Sequence, residues 1–159
     1  MKRNRLSLLV AALLGSATLS AQTITNNENG KYTLKVGEVS MTVDASRGAK
    51  ILSYKYGDKE VLSQTRMPNS FGSTFWTSPQ SEWNWPPVPE YDTKPYQAEV
   101  NGDKLILTGE KSKRFGYSVR KEFSTDAKDN AIVITYTIVN QSGETRKVAP
   151  WEISRVPNG

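Results

Sequence analysis

Apolar and polar residues alternate along most of the chain after residue 21, which is the period of a β-strand with one buried face. The alternating segments are short, and turn signals such as Asn101 and Gly102 separate them. An apolar spacing of period 3.6 is not sustained anywhere in this part, so we predict no helix there. The predicted strands are 32–36, 39–43, 49–56, 60–62, 96–100, 105–108, 117–123, 131–140 and 147–156. Many short strands joined by turns indicate an all-β, antiparallel β-sandwich.

Two of these strands carry more specific predictions. In 131–140 (AIVITYTIVN), Ile and Tyr occupy one face while Val and Thr occupy the other. Because both faces are apolar or β-branched, this strand is predicted to be central and covered on both sides. In the strand 117–123, one face is formed by Tyr117, Val119, Lys121 and Phe123.

The segment 64–95 interrupts the alternation. It holds six of the eight prolines and three of the four tryptophans of the chain. Disordered proline-rich segments contain few large aromatic residues, so this one is expected to be ordered. A connection of about 30 residues without regular structure is usually functional when it is ordered. We therefore look for the site in this segment.

Flat aromatic rings and short polar side chains alternate within this segment. The candidate ligand-binding residues are Trp76, Gln80, Glu82, Trp83 and Trp85. A sugar ring needs this mixture, because its C–H face lies against an aromatic plane while its hydroxyl groups require polar partners. Two other interpretations stay open. The tryptophans could fill the open end of the sandwich, and residues 85–89 (WPPVP) could form a polyproline-type recognition motif.

Further candidates lie outside this segment. In the last predicted strand, alternation places Glu152 on one face and Arg155 on the other, and both are candidate binding residues. Arg114, next to a predicted turn, could bind a carboxylate or phosphate group of a ligand. Each could equally be a solvated or salt-bridged surface residue.

The composition restricts the chemistry that the chain can perform. It contains neither cysteine nor histidine. Disulfides, thiolate nucleophiles, Ser–His–Asp triads and the commonest metal ligands are therefore excluded, and we expect no metal or other cofactor. Lys and Arg outnumber Asp and Glu by 21 to 16, which gives a net charge of +5. Because these charges are mixed along the chain, nucleic-acid binding is not expected.

Residues 1–21 are predicted to be a signal peptide. Three basic residues precede the apolar run LSLLVAALL, and the small residues Ser20 and Ala21 stand just before Gln22, as at a cleavage site. The run is too short to span a membrane, so we expect a secreted protein of the periplasm or the cell exterior. Without this segment, 18 basic and 16 acidic residues leave a net charge of +2. The chain stops in a turn-like sequence, so the domain 22–159 is predicted to continue beyond residue 159.

Several sequence stretches resemble the galactose mutarotase-like (aldose 1-epimerase-like) superfamily. They are the segment 47–62, the loop 72–80, and the strands 115–123 and 132–140. The stretches WTSPQSEWNWPP and PWEISRVPNG are similar to a secreted DUF4380-like branch of that superfamily from Bacteroidetes. The resemblance implies a supersandwich fold of which this chain is about the first half.

The resemblance also implies a carbohydrate ligand, a mono- or oligosaccharide. Mutarotases use a histidine acid and a carboxylate base, but this chain has no histidine, and the base would come from the second half of the domain. The sugar-binding Asn–Arg pair of the family is replaced by 77–80 (TSPQ). The sequence thus predicts carbohydrate binding rather than mutarotase chemistry. Two alternatives are a carbohydrate-active enzyme, an epimerase or a lyase/hydrolase, using Glu82 and Glu152, and a purely structural or partner-binding sandwich.

Overall fold

The computed structural model describes residues 21–65 and 70–158, and it is almost entirely β. All but one residue of the predicted signal peptide lie outside this part, so both the leader and the continuation beyond residue 159 stay predictions. In the described residues the strands are β1 (Gln22–Asn26), β2 (Lys31–Val36), β3 (Val39–Asp44), β4 (Lys50–Tyr56), β5 (Lys59–Glu60), β6 (Ser73–Ser78), β7 (Tyr96–Asn101), β8 (Lys104–Gly109), β9 (Tyr117–Asp126), β10 (Ala131–Asn140) and β11 (Ala149–Ser154).

These strands form two antiparallel sheets. The first has the order β1-β2-β3-β4-β6-β11, with β5 pairing to β4, and the second has the order β10-β9-β8-β7. Neighbours along the chain mostly pair as hairpins, as the turn signals predict. The last strand, β11, returns to the first sheet and pairs with β6, so that Trp151 lies opposite Trp76.

The core lies between the two sheets. The first sheet contributes the buried side chains Leu34, Val43, Ile51 and Phe75, and the second contributes Leu105, Leu107, Val119 and Phe123. Phe75 of the first sheet meets Tyr136 of the second, with ring centroids 5.0 Å apart. The prediction of an all-β antiparallel sandwich is confirmed. The four residues that alternation groups on one face of the strand 117–123 are all buried, so this face is the inner one.

The prediction that 131–140 is a central strand was wrong. β10 lies at the edge of the second sheet as the described residues form it. Its Val and Thr face is exposed, with Val133 47% accessible, whereas its Ile and Tyr face is half-buried. Val and Thr suit the exposed face of a strand as well as a buried one, because their branched Cβ favours extended backbone whatever covers it.

The prediction that 64–95 lacks regular structure was also wrong. It contains β6, a 3-10 turn at Gln80–Glu82, and a one-turn α-helix, α1 (Pro89–Asp92), where we expected no helix. Another 3-10 turn spans Glu28–Gly30. The strand β1 was missed because its sequence QTITN holds a single apolar residue. Among the described residues, no helix has the length and apolar character needed to span a membrane.

A close approach between Gly48 and α1 positions the segment that follows β6. Gly48 has φ +64, and a Cβ built on it would lie 2.1 Å from the backbone oxygen of Asp92. Its amide donates a hydrogen bond of 2.8 Å to the carbonyl of Lys94. Only glycine allows both the left-handed conformation and this contact. The turn before β4 thereby fixes the position of α1.

Candidate functional site

The candidate site is built around β6 and the chain that follows it. β6 carries Trp76, and the chain then passes through Trp83 and Trp85 before reaching α1. β11, paired with β6, adds Trp151. Residues far apart in sequence are thus brought to one surface by a strand pairing.

The four tryptophans of the chain form one cluster with Trp76 at its centre. The centroid of the Trp76 ring lies 5.7 Å from that of Trp83, 5.8 Å from that of Trp85 and 5.5 Å from that of Trp151. The interplanar angles are 68°, 84° and 84°, so all three contacts are edge-to-face. This is a favoured geometry for aromatic pairs, because the positive ring edge meets the negative ring face.

The members of this cluster differ sharply in exposure. Trp83 is 3% accessible and belongs to the core, whereas Trp85 is 68% accessible. Trp151 is 37% accessible and Trp76 is half-buried. The interpretation that the tryptophans fill the sandwich therefore describes Trp83, whereas Trp85 presents its indole to solvent.

The indole N–H groups of the two inner tryptophans are bonded. Trp76 Nε1 donates to Asp92 Oδ1 at 2.8 Å, and Trp83 Nε1 donates to the Thr77 carbonyl at 2.9 Å. Asp92 ends α1, so the helix holds the orientation of Trp76. The ring of Trp76, against which Trp85 packs, is therefore fixed by a hydrogen bond as well as by packing.

A surface cleft of about 400 Å³ is bordered by both Trp76 and Trp85, and we call it the tryptophan cleft. Its volume falls within the usual range for small-molecule sites. It is lined by Arg47, Lys50, Ser70, Thr74, Trp76, Trp85, Pro86, Pro87, Asp92, Thr93 and Arg155.

Among the residues that the structure describes, three basic side chains and one carboxylate line the tryptophan cleft. Lys50 is buried, and its ammonium lies 3.9 Å from the centroid of the Phe71 ring. Arg155 Nη1 donates to Thr74 Oγ1 at 3.1 Å. Arg47 is exposed. The carboxylate is that of Asp92, which accepts the Trp76 hydrogen bond. The cleft thus combines an aromatic wall with a net positive charge.

Arg114 lies on the other side of the ridge formed by residues 85–87. There it borders a second cleft of about 300 Å³, which shares Trp85 with the first. Its guanidinium carbon is 4.7 Å from the centroid of the Phe115 ring, and Nη2 donates to the Glu82 carbonyl at 3.3 Å. These contacts place Arg114 outside the tryptophan cleft.

Glu82 and Gln80 also lie away from that cleft. Glu82 Oε1 is 3.7 Å from Arg146 Nη1 and accepts a hydrogen bond of 3.4 Å from the Tyr117 hydroxyl. Gln80 borders an open depression of about 480 Å³ next to Trp151. The polar residues that alternate with the tryptophans in sequence therefore spread over different surfaces.

Glu152 faces the interior between the sheets. Its Oε1 accepts a hydrogen bond from Ser73. The nearby Lys121 is 1% accessible and donates to the Gly48 carbonyl at 2.7 Å. Burial lowers the pKa of Lys121 to about 8, and the negative charges of Glu152 and Asp92 act in the opposite direction. Burial, with the Glu152 carboxylate, raises the pKa of Tyr136.

The two carboxylates of the enzyme hypothesis thus lie in different environments. Glu82 contacts Arg146 and Tyr117, whereas Glu152 contacts Ser73 inside the sandwich. Among the described hydrogen bonds and ion pairs, these carboxylates have no partner in common. Such contacts stabilise the fold, and they do not by themselves form a pair across a substrate.

The structure brings three of the eight predicted binding residues, Trp76, Trp85 and Arg155, to the tryptophan cleft. Trp83 supports it from beneath, and the other four lie elsewhere. Sequence reasoning missed Arg47, Lys50 and Asp92. A signal existed for two of them, because the turn RGAK places two basic residues around a glycine, but nothing in the sequence indicates what that turn faces.

The fold and the cleft define an antiparallel β-sandwich with an aromatic, positively charged surface site. No protein-family model and no curated protein matches the sequence. Among solved structures, the chain is similar to 4-alpha-glucanotransferase from Thermococcus litoralis, with a TM-score of 0.47 and 13% identity. That similarity covers 75% of this chain and 24% of the other. It is too weak to support an argument about function, and the resemblance to mutarotase-like domains stays a prediction.

Proposed function

We propose that this protein binds a carbohydrate in the tryptophan cleft, with a sugar ring stacked on Trp85. The observation that carries the proposal is the exposure of Trp85, whose indole is 68% accessible while its edge-to-face partner Trp76 is held in place. A large indole left in water at the mouth of a cleft is available for an apolar ligand face.

The surroundings of Trp85 favour a sugar over a purely apolar ligand. Asp92, Thr93 and Arg155 border the same cleft and supply hydrogen-bond acceptors and donors. A saccharide presents C–H groups on one side and hydroxyl groups around its edge, so an aromatic wall with a polar rim suits it. The consecutive prolines 86 and 87 limit the motion of the ridge and lower the entropy lost on binding.

The experiment is a titration of the purified protein with a panel of neutral and acidic mono- and oligosaccharides, followed by calorimetry and tryptophan fluorescence. The Trp85→Ala variant is expected to bind up to about ten-fold more weakly, since contact with an aromatic ring contributes roughly 0.5–1.5 kcal/mol beyond the area that it buries. Tyr56→Ala is the control, because Tyr56 is 61% exposed and lines none of the clefts described above. Absence of binding across the whole panel would refute the proposal.

Export belongs to the same proposal. A protein that handles saccharides outside the cytoplasm needs a signal peptide, and residues 1–21 have the sequence of one. Expression of the full chain in a bacterial host, followed by fractionation and N-terminal sequencing, tests this. The expected product begins at Gln22 in the periplasm or the medium, and an uncleaved cytoplasmic product would contradict it.

A further inference from the structure

The basic side chains of the tryptophan cleft restrict the charge of the ligand, which the aromatic wall does not. Within the described part of the chain, Arg47, Lys50 and Arg155 border the cleft together with one carboxylate, that of Asp92. A neutral sugar needs no such excess of positive charge. We infer that the cleft selects a saccharide that carries an acidic group, a uronate carboxylate or a sulfate ester; this inference rests on the proposed function.

Arg155 is the residue best placed to bind such a group. One of its guanidinium nitrogens is hydrogen-bonded to Thr74 Oγ1, which orients the side chain without neutralising it. Within the described residues, the salt bridges include neither Arg155 nor Arg47. Guanidinium groups bind carboxylate and sulfate through two parallel N–H donors, which gives geometric selectivity as well as charge.

Lys50 adds to the field of the cleft from beneath. Its ammonium is buried against the Phe71 ring, so it acts on a ligand through its charge in a region of reduced dielectric constant. Asp92, whose carboxylate accepts the hydrogen bond of Trp76, opposes an anion in the same cleft. Among the described lining residues, three cations outweigh this one carboxylate, which leaves the site attractive to a negative group beside Trp85.

The test compares ligands that differ only in charge. Binding of oligogalacturonides is measured against the same oligomers as methyl esters, which keep the stereochemistry and lose the charge; alginate-derived uronates and sulfated galactans form two further pairs with their neutral counterparts. The acidic member of at least one pair is expected to bind about ten-fold or more tightly than its neutral counterpart, since a hydrogen bond to a charged group contributes roughly 1.5–3 kcal/mol. Its affinity is also expected to fall with added salt.

Variants separate the cleft from general electrostatics. Arg155→Gln and Arg47→Gln are each expected to reduce the preference for the acidic ligand several-fold, and Arg114→Gln, outside the tryptophan cleft, is expected to leave it unchanged. Arg155→Lys, which keeps the charge, is expected to restore part of the preference. Thermal melting and circular dichroism of each variant show whether the fold is intact, and Arg47→Gln provides the test if Arg155→Gln unfolds.

The outcomes distinguish this inference from the proposed function. Tight binding of uronates but not of sulfated sugars, or the reverse, supports the inference and identifies the acidic group. Equal binding of acidic and neutral members of every pair overturns it while leaving carbohydrate binding intact. Absence of any saccharide binding overturns both.

Discussion

The contact between Gly48 and α1 makes a quantitative prediction about how the site is held. In Gly48→Ala, the new Cβ would lie 2.1 Å from the Asp92 backbone oxygen, about 1 Å inside the distance at which carbon and oxygen can touch. The backbone at residue 48 also has φ +64, which costs a non-glycine residue about 1–2 kcal/mol. Either the turn or α1 must therefore move.

The chain offers a matched control for the conformational part of this cost. Gly57 has φ +57, and a Cβ built on it meets nothing within 4 Å. Gly57→Ala therefore pays the left-handed backbone cost alone, partly offset by the reduced entropy of the unfolded chain, which leaves about 0.5–1 kcal/mol. Gly48→Ala adds the overlap, and forcing extra atoms into a packed region costs about 1–3 kcal/mol.

We expect Gly48→Ala to lower the free energy of unfolding by about 2 kcal/mol more than Gly57→Ala does, as measured by urea unfolding. Because the displaced backbone belongs to Asp92, which binds Trp76, the near-UV circular dichroism of the tryptophan cluster should change in Gly48→Ala only. If the two variants differ in stability by less than about 0.5 kcal/mol, with identical near-UV spectra, the argument that this contact positions the cleft is refuted.

Three further predictions concern individual side chains. Between pH 8 and 9.5 the free energy of unfolding should rise by about 1.5 kcal/mol through Lys121. The pKa of Lys121 is about 8 in the fold and 10.5 in the unfolded chain, so the unfolded chain binds more protons in that window. The free energy of unfolding of Lys121→Met should lack this rise. Asp92→Ala should cost about 1–3 kcal/mol, measured by urea unfolding, since Trp76 Nε1 loses a charged acceptor. Acrylamide quenching should fall strongly in Trp85→Phe and hardly in Trp83→Phe, because only the former indole is exposed.

The controls for these experiments follow from the same contacts. The window for Lys121 ends at pH 9.5 because the pKa values of Tyr96 and Tyr136 are raised by burial, and their titration opposes the rise at higher pH. Asp58→Ala, in the turn between β4 and β5, controls for loss of a surface carboxylate. The Lys121 prediction is contradicted if the stability of the parent protein is flat or falls between pH 8 and 9.5. The Asp92 prediction is contradicted if Asp92→Ala is as stable as Asp58→Ala, and the quenching prediction if both tryptophan variants are quenched equally.

The sequence predicted most strands of the sandwich because the period of two survives wherever one face is buried. The face formed by Tyr117, Val119, Lys121 and Phe123 was read correctly, even though it includes a lysine, since alternation depends on backbone geometry rather than on side-chain type. The strand β10 was located correctly but placed wrongly in the sheet. The position of β10 in the sheet depends on which other strands pair with it, and the sequence of a single strand does not contain that information.

The candidate site shows the same division. Alternation of aromatic and polar residues in 76–85 directed attention to the segment that borders the tryptophan cleft, but Glu82 and Gln80 lie away from this cleft and Trp83 is buried. After β6 the chain forms a 3-10 turn, and successive side chains in such a turn point in different directions. Spacing in sequence therefore does not predict a common face there.

What the sequence alone determined is the local part: strand formation, the turns between strands, and an ordered tryptophan-rich segment. The tertiary structure alone decided that Arg47, Asp92 and Arg155 border one cleft with Trp76 and Trp85. These residues come from a turn, a helix and the chain after the last strand, and contacts such as that of Gly48 with Asp92 bring them together. Such contacts depend on how whole elements pack, because packing joins residues that no local pattern connects.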